Sequence, residues 1–456
     1  MSNTLTTIAQ QLIDLAKASG ACHADALSVL DAGESVQVRH GKLESIERED
    51  SQGVGLRAFV ESGKGLAFAS ASSSDTSETG LKQLVQQVIN MAKISEADPD
   101  AVPPEGAEHP SAEARAAWQQ KHPQQTHGWS TEQARHAALH CEAAALDYSD
   151  QISNSEGATA SFGETAVAYA ASDGFVADYS RASCSLSLAV IAGEGEGMQR
   201  DYAYSSQRQA TELRDASEIG REAAERTLRM LGASGLSSRN CSVVFEPRVA
   251  SSMLRHLSSA INGRSVLQKN SFLSDALHQS IFPDFVHISD DPDHAVGLGN
   301  RLFDGEGSRC QKRDIIESGR LSGFLTDRYA AKRLGTTPTG HARRGLTGDI
   351  GIGTSNLIMH AGIPSQEEIL HDIQDGVLIT ELMGFGVNGV TGDYSRGAAG
   401  FLIENGKISH PVHGFTIAGN LKEMFAQISH VGNDLTWFGS TAVPSIAIAN
   451  MTIAGQ

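Results

Sequence analysis

The chain has 456 residues, of which 40% are hydrophobic and 20% are charged. This is ordinary globular usage, so the length predicts about two to four folded domains and excludes coiled coil or disorder for most of the chain. The 36 basic and 54 acidic residues give a net charge of −18. Such a surface repels phosphate backbones and anionic lipid headgroups, so we expect no direct nucleic-acid binding and no membrane binding.

The cysteine pattern and the first segment indicate the compartment. The five cysteines are odd in number and widely spaced, without a CxxC motif. They predict reduced thiols in the cytoplasm instead of a disulfide framework or a zinc ribbon. The first residues lack a basic region before their apolar positions, so they predict an amphipathic helix and not a signal peptide.

Residues 1–98 predict an N-terminal α+β domain. Apolar residues recur at helical spacing from Leu5 to Ala16, and Gly20 ends that helix. Short alternating segments between Ala26 and Ala69 predict an antiparallel meander. A second amphipathic helix is expected over residues 81–92.

A linker and a middle domain follow. Five of the 12 prolines lie within residues 99–128, which predicts a proline-rich linker or a long surface excursion. Ser130 and Gln133 form a capping-box pattern that opens a helix. Asp173-Gly174 is typical of a hairpin turn. Residues 129–236 therefore predict a middle α+β domain of β-hairpins and helices.

Residues 237–456 predict a β-rich C-terminal domain. An apolar strand from Cys241 precedes Pro247 and a helix, and many short strands with glycine turns follow. Two similar hairpins, Ile316–Ser322 and Ile403–Ser409, favour a barrel-like or sandwich-like domain. The predicted fold class of the whole chain is α+β.

Two short sequence motifs have weak functional interpretations. Gly384-x-Gly386-x-x-Gly389 matches a dinucleotide fingerprint, but the helix that must follow it is missing, so a glycine-rich turn is favoured. His136 and His140 stand four residues apart on the capped helix, a spacing that can hold a metal. No third ligand is evident, so a solvated helix face is favoured.

Two charged segments also have weak functional interpretations. Residues 290–293, Asp-Asp-Pro-Asp, resemble half of a calcium loop but lack the central glycine and distal glutamate, so a polar turn is favoured. The basic cluster of His341, Arg343 and Arg344 could hold a carboxylate. A solvated loop is the favoured interpretation.

Several longer strings carry a family resemblance. Residues 382–399 contain TGDYSRGA, and residues 416–421 read TIAGNL. Further matching strings are Gly53–Arg57, Gly323–Thr339, Ile403–Ile408, Pro411-Val412 and Val431–Asp434. Over nearly its whole length the chain resembles the PmbA/TldE branch of the TldD/PmbA metalloprotease family.

The resemblance implies a bacterial cytosolic protein linked to microcin maturation, antitoxin degradation and, by older naming, modulation of DNA gyrase. It also implies that the TldD branch is catalytic and that PmbA/TldE pairs with it. TldD-type chains carry an HExxxH helix and a cysteine near the C-terminus, which bind zinc.

The zinc ligands are absent from this sequence. With flanking strings as anchors, the HExxxH positions fall on Leu254, Arg255 and Ser259. Leucine cannot bind zinc, arginine stays cationic and cannot act as a base, and serine is a poor zinc ligand. His256 is out of register, and residues 434–443 contain no cysteine. We therefore expect no catalytic residue, cofactor or metal in this chain, and zinc in the TldD-type partner.

The sequence thus predicts a subunit that lacks catalysis and helps to process or degrade small or unfolded peptides. Its expected partners are a TldD-type subunit in a hetero-oligomer, a second copy of itself when alone, and peptide substrates. Two alternatives stay open. The chain is a metallopeptidase in its own right with an unrecognised site, or it is a peptide-binding or chaperone module.

Overall fold

The computed structural model describes residues 2–63, 65–105, 108–122, 127–346 and 350–455. Within these ranges no helix is both long enough and apolar enough to cross a membrane. The helices are α1 Ser2–Ala18, α2 Glu78–Ile94, α3 Ala112–Lys121, α4 Thr131–Leu146, α5 Ala216–Leu228, α6 Pro247–Ala260, α7 Gly263–Leu267, α8 Arg328–Leu334, α9 Gln366–Ile373 and α10 Leu421–Ala426.

Six antiparallel strands form the first sheet, in the order β3-β2-β1-β4-β5-β6. The strands are β1 His23–Arg39, β2 Lys42–Ser62, β3 Gly65–Ser73, β4 Ile152–Ala171, β5 Val176–Ala192 and β6 Gln199–Gln207. Helices α1 and α2 bury their apolar residues against one half of the sheet, and α4 and α5 cover the other half. Because β1 pairs with both β2 and β4, the segments 1–98 and 129–236 contribute strands to one continuous sheet.

The C-terminal region contains a closed five-stranded barrel. Its strands follow the order β16-β15-β14-β7-β20, and β20 pairs back onto β16. The strands are β7 Arg239–Phe245, β14 Asp375–Met383, β15 Asp393–Glu404, β16 Lys407–Asn420 and β20 Ile446–Ala454, with β17 Ile428–Val431 alongside β20. The prediction of an α+β chain with a barrel-like C-terminal region is confirmed.

A second sheet packs beside the barrel, in the order β10-β9-β8-β13-β19-β18. Its strands are β8 Ile288–Asp290, β9 Arg313–Glu317, β10 Arg320–Leu321, β13 Leu357–Met359, β18 Thr436–Phe438 and β19 Thr441–Val443. β11 Ala342–Arg343 and β12 Gly351–Ile352 form a separate small ribbon. Barrel and second sheet share one apolar core, which includes the buried face of α6.

The segment predicted as a proline-rich linker contains helix α3, which the proline count did not suggest. Ser111 caps this helix through a hydrogen bond from Ala114 N, and the prolines all lie outside it. The segment is also attached to the C-terminal region. The Arg328 guanidinium donates to the backbone oxygens of Pro103 and Glu105.

A buried charge cluster joins the first sheet to the C-terminal region; we call it the junction. Asp25 on β1 accepts hydrogen bonds from Arg57 Nε at 3.2 Å and from Arg344 Nη1 at 2.6 Å. Arg57 Nη1 also donates to Glu306 Oε1 at 3.3 Å, and Tyr169 Oη donates to the Glu306 carbonyl oxygen at 3.0 Å. Each buried charge therefore has partners, which buried ions require.

Candidate functional site

Helix α6 separates the C-terminal core from a solvent-facing groove. Pro247 occupies the first turn, where its missing N–H leaves no hydrogen bond unmade. Leu254 and Leu257 are fully buried in the shared core. Arg255 and Ser259 stand four residues apart, so they share the opposite face, and both are exposed.

The groove consists of three adjoining cavities of about 350, 260 and 360 Å³. Arg255 lines all three, so it lies near the middle of the groove. Arg396 and Ser252 connect the first cavity to the second, and Arg248 and Tyr202 connect the second to the third.

Two strand edges form walls of this groove. β6 is the last strand of the first sheet, and Tyr202 and Tyr204 line the groove. On the other side, β14 pairs with β7 only over residues 376–379, and a bulge follows at Thr380. Residues 381–383 are therefore paired with β15 alone among the described residues, and Thr380–Leu382 line the groove.

In the second, middle cavity of the groove, the charges of Arg200, Asp201 and Arg248 are matched. Arg248 Nη1 donates to Asp201 Oδ1 at 2.7 Å, and Arg200 lies 2.6 Å from the Glu156 carboxylate. Burial alone would raise the pKa of Asp201, but the neighbouring arginines hold it below its ordinary value. The pKa of Glu381 is raised by its partial burial and by the nearby Asp201 charge.

In the first cavity, the arginines lack carboxylate partners. Neither Arg255 nor Arg396 forms an ion pair with any described residue, although both line the cavity of about 350 Å³. His256 lines the same cavity, and its ring lies edge-on to Tyr394 with centroids 6.1 Å apart. Burial, followed by the charges of Arg396 and Arg255, lowers the pKa of His256 to about 4, so its imidazole is neutral near pH 7.

A larger cavity of about 640 Å³ lies elsewhere, between the first sheet and α3. Its lining includes Trp118 and the carboxylates of Asp31, Asp50 and Glu164. None of the three positions expected from the resemblance lines it. The groove along α6, which contains two of them, is therefore the candidate site.

The three expected positions do not share one face of α6. Leu254 points into the core, away from Arg255 and Ser259. Across the described ranges, no three His, Cys, Asp or Glu residues are grouped so that they could hold a metal ion. Phe438 and Thr441, from the C-terminal loop expected to lack a cysteine ligand, line the groove.

Two weaker sequence candidates are placed as follows. His136 and His140 are both exposed on α4, with ring centroids 6.4 Å apart. The glycine motif from Gly384 to Gly389 forms the turn between β14 and β15, and no helix follows it directly.

The favoured interpretation of the basic cluster was wrong. His341 is buried, and its Nε2 lies 3.1 Å from Asp290 Oδ2, while Arg344 pairs with Asp25. The cluster holds carboxylates of its own chain instead of forming a solvated loop. The acidic segment is likewise structural at Asp290, whose Oδ1 accepts from Ser355 N at 2.7 Å.

Sequence reasoning missed Arg396, Arg248 and Tyr202 as residues of the groove. Arg396 lies within the TGDYSRGA string, which served to identify the family and not the site. Tyr202 comes from the first sheet, far from α6 along the chain, so only the folded structure brings the two together.

Known proteins match this chain over almost its whole length. Models of PmbA/TldA metallopeptidase domain 1, central domain and C-terminal domain match residues 24–92, 127–231 and 238–455. "Metalloprotease PmbA" of Escherichia coli O157:H7 is 37% identical, with 93% of this chain and 90% of that protein covered. The "Metalloprotease PmbA homolog" of Haemophilus influenzae is 32% identical, with 97% and 94% covered.

Solved structures share the fold. A protein named as a candidate modulator of DNA gyrase, from Bacteroides thetaiotaomicron, superposes with a TM-score of 0.86 at 26% identity, covering 99% of this chain and 98% of its own. TldE from Thermococcus kodakarensis gives a TM-score of 0.84 at 21% identity, covering 98% of this chain and 100% of its own. By the sequence relatives and the three domain models, the chain belongs to the PmbA/TldD family of metalloprotease-like proteins.

Proposed function

We propose that this chain is a PmbA/TldE-type subunit of a two-component metallopeptidase system. A TldD-type partner supplies the zinc and the hydrolysis, and this chain supplies part of the substrate groove. The observation that carries the proposal is helix α6, where the positions aligned with HExxxH are Leu254 on the buried face and Arg255 and Ser259 on the groove face. A catalytic zinc typically needs three protein ligands and a base for its water, and these side chains provide neither.

The groove walls suit an extended peptide. An unpaired strand edge can bind a peptide as an added strand, which uses backbone hydrogen bonds and tolerates different side chains. β6 and the end of β14 both present edges along the groove that no further described strand pairs. Arginine side chains donate to the carbonyl oxygens of Tyr202, Thr380 and Leu382, so an added peptide strand would replace these hydrogen bonds. Small or unfolded peptides fit this mode because they can lie along the groove as an extended backbone.

The proposal is tested by assaying hydrolysis of a casein-derived peptide by this chain, by the TldD-type chain of the same genome, and by their mixture. We expect chelator-sensitive turnover in the mixture at a rate well above that of either chain alone. Ser259→Trp should fill the groove and raise KM in the mixture. Arg221→Trp, at an exposed position on α5, is the matched control and should leave KM unchanged.

The rival function is a metallopeptidase complete in this one chain. It is favoured by the names of the sequence relatives, "Metalloprotease PmbA" and its homologue. Elemental analysis of the purified chain separates the two. Stoichiometric zinc, with hydrolysis by the chain alone that a chelator abolishes, would establish the rival, whereas peptide binding without turnover in the mixture would favour a binding or chaperone module.

The proposal includes a bacterial cytoplasmic location and a homodimer when the chain is alone. The absence of disulfides among the five cysteines supports a reducing compartment. A two-fold dimer is the commonest oligomer of soluble proteins. Light scattering at micromolar concentration would show a monomer if the second expectation is wrong.

A further inference from the structure

Two arginines without counter-ions face one cavity of the groove. Arg255 extends from α6 and Arg396 from β15, and both line the cavity of about 350 Å³. The other groove arginines are neutralised, since Arg200 pairs with Glu156 and Arg248 with Asp201. In a chain with a net charge of −18, a site with two unmatched cations is unusual.

Polar atoms at this cavity also lack partners. Arg396 Nε, His256 Nε2 and Tyr394 Oη are buried and have no well-formed hydrogen bond to a described residue, although the Arg396 guanidinium acts on the Tyr394 hydroxyl. Arg396 Nε is a donor, and leaving a buried donor unpaired costs about 1–3 kcal/mol, so an acceptor that enters the cavity would recover this energy. The unmatched groups therefore call for a ligand that is both anionic and a hydrogen-bond acceptor.

The nearby carboxylates do not neutralise Arg255 and Arg396. Glu381 and Asp201 line the second cavity, which Arg255 and Arg396 also border. The charges that act on Glu381 are nevertheless those of Asp201, Arg248 and Arg200. The electrostatic influences on His256 come instead from Arg396 and Arg255. The first cavity, which Arg255, His256 and Arg396 line and no described carboxylate lines, is thus electrically distinct from the second.

The cavity lies where an added strand would end. Arg396 Nη2 donates to the carbonyl oxygen of Leu382 at 3.3 Å, so its guanidinium is held at the free edge of β14. Phe385, which is 99% exposed, and Val387 border the cavity on its apolar side. A peptide along this edge would place one residue with its polar group at the arginines and its carbon atoms against Phe385.

We propose that the Arg255–Arg396 cavity selects peptides that carry a carboxylate, either the C-terminal carboxylate or an Asp or Glu side chain. The planar guanidinium of each arginine matches the two oxygens of a carboxylate. This inference rests on the proposed function, because it names the substrate class of the same groove.

The test uses three fluorescein-labelled octapeptides of alternating Thr and Val. The first has a free C-terminal carboxylate, the second a C-terminal amide, and the third a C-terminal amide with one internal Glu. Dissociation constants for the full-length chain are measured by fluorescence anisotropy at low and at physiological salt. We expect the neutral amide to bind about tenfold more weakly than at least one of the two acidic peptides, the loss of one charge-assisted hydrogen bond.

The variants localise the effect. Arg255→Gln should remove most of the tenfold preference and leave the affinity of the neutral amide unchanged. Arg221→Gln, at the exposed α5 position, is the matched control and should keep the preference. The free-carboxylate and internal-Glu peptides distinguish the C-terminus from an acidic side chain as the recognised group.

The results distinguish the carboxylate inference from the proposed peptide groove. Equal binding of all three peptides, or a preference that survives Arg255→Gln, overturns the carboxylate inference and leaves the proposed groove intact. If none of the peptides binds at millimolar concentration, the proposed peptide groove is itself overturned, and the inference with it.

Discussion

Arginines at two places in this molecule differ in what surrounds them. At the junction, Arg57 and Arg344 are buried and share the carboxylate of Asp25, and Arg57 also pairs with Glu306. In the groove, Arg255 and Arg396 border a cavity and have no carboxylate partner among the described residues. Matched buried charges fix how two parts of a chain are joined, whereas unmatched charges at a cavity remain available to a ligand.

The largest expected effect is at the junction. Asp25→Asn removes the negative charge that faces two buried guanidinium groups. We expect it to lower the free energy of unfolding by about 3–5 kcal/mol, the usual cost of breaking a buried ion pair from one side. Chemical denaturation followed by circular dichroism measures the change.

The matched control is Asp50→Asn, which removes an exposed partner of Arg48. An exposed pair contributes roughly 0–1 kcal/mol, so this variant should be nearly as stable as the parent chain. If the two variants lose the same free energy, burial at the junction does not distinguish its charges from those of the surface.

The second effect contrasts the two faces of α6. Leu254→His places a polar ring in the apolar core, and we expect it to cost about 2–4 kcal/mol of unfolding free energy. Ser259→His, on the exposed face of the same helix, should change this value by less than about 0.5 kcal/mol. Chemical denaturation of each variant gives its free energy of unfolding, and the difference between the two values measures the contrast.

The same contrast limits any attempt to rebuild a zinc site. The triple variant Leu254→His, Arg255→Glu and Ser259→His restores the HExxxH string but leaves its first histidine facing the core. We expect no chelator-sensitive hydrolysis of a casein-derived peptide after zinc is added. Robust turnover would mean that α6 can turn residue 254 into the groove and that a third ligand exists.

The sequence predicted those parts of the fold that local pattern controls. The spacing of apolar residues predicted α1 and α2, and the Ser130–Gln133 capping box is present at the start of α4. Barrel closure depends on β20 pairing back onto β16, and no local pattern encodes it. The single six-stranded sheet was missed for the same reason, because β1 and β4 are more than a hundred residues apart.

The candidate site, like the fold, has parts that local sequence predicted and parts that only the folded structure shows. Family strings located Arg255 and Ser259 on one helix, and helical geometry alone separates Leu254 from them. The pairing of Arg255 with Arg396 requires the barrel to form first. The burial of His341 and Arg344 could not be predicted, because their partners Asp290 and Asp25 lie far away in sequence.

The third effect is a dependence on pH at the edge of the junction. Burial, and then the charge of Glu306, raises the pKa of Asp304 from 3.8 to about 7. Between these values the folded chain holds a proton that the unfolded chain has lost, so stability falls as the pH rises. Relative to Asp304→Asn, the parent chain should lose at most about 1.4 kcal/mol of unfolding free energy per pH unit.

Denaturation of both proteins at pH 5, 6 and 8 tests this slope, since groups other than Asp304 titrate in both. Asp25, whose pKa the arginines lower, contributes in the opposite direction and at more acidic pH. A difference between the two proteins that stays constant from pH 5 to pH 8 would show that Asp304 is ionised throughout.

The smallest effect probes the groove without depending on peptide affinity. His256 has a pKa of about 4, lowered first by burial and then by the charges of Arg396 and Arg255. Arg255→Gln removes one of these charges, so the imidazolium form is less disfavoured and the pKa should rise, while burial keeps it below 6.5. Titration of the imidazole carbon signals by NMR measures the pKa, and the spectrum of a His256→Gln variant identifies the His256 signal among those of the 17 histidines.

Binding of an acidic peptide should also raise the pKa of His256. A peptide carboxylate between the two arginines offsets their charge, so a saturating acidic octapeptide should raise the pKa of His256, and the neutral amide should raise it less. Arg221→Gln, which lies outside the groove lining, should leave the pKa unchanged. If Arg255→Gln also leaves it unchanged, the Arg255 charge does not reach the cavity, and the distinction between matched and unmatched arginines would rest on Arg396 alone.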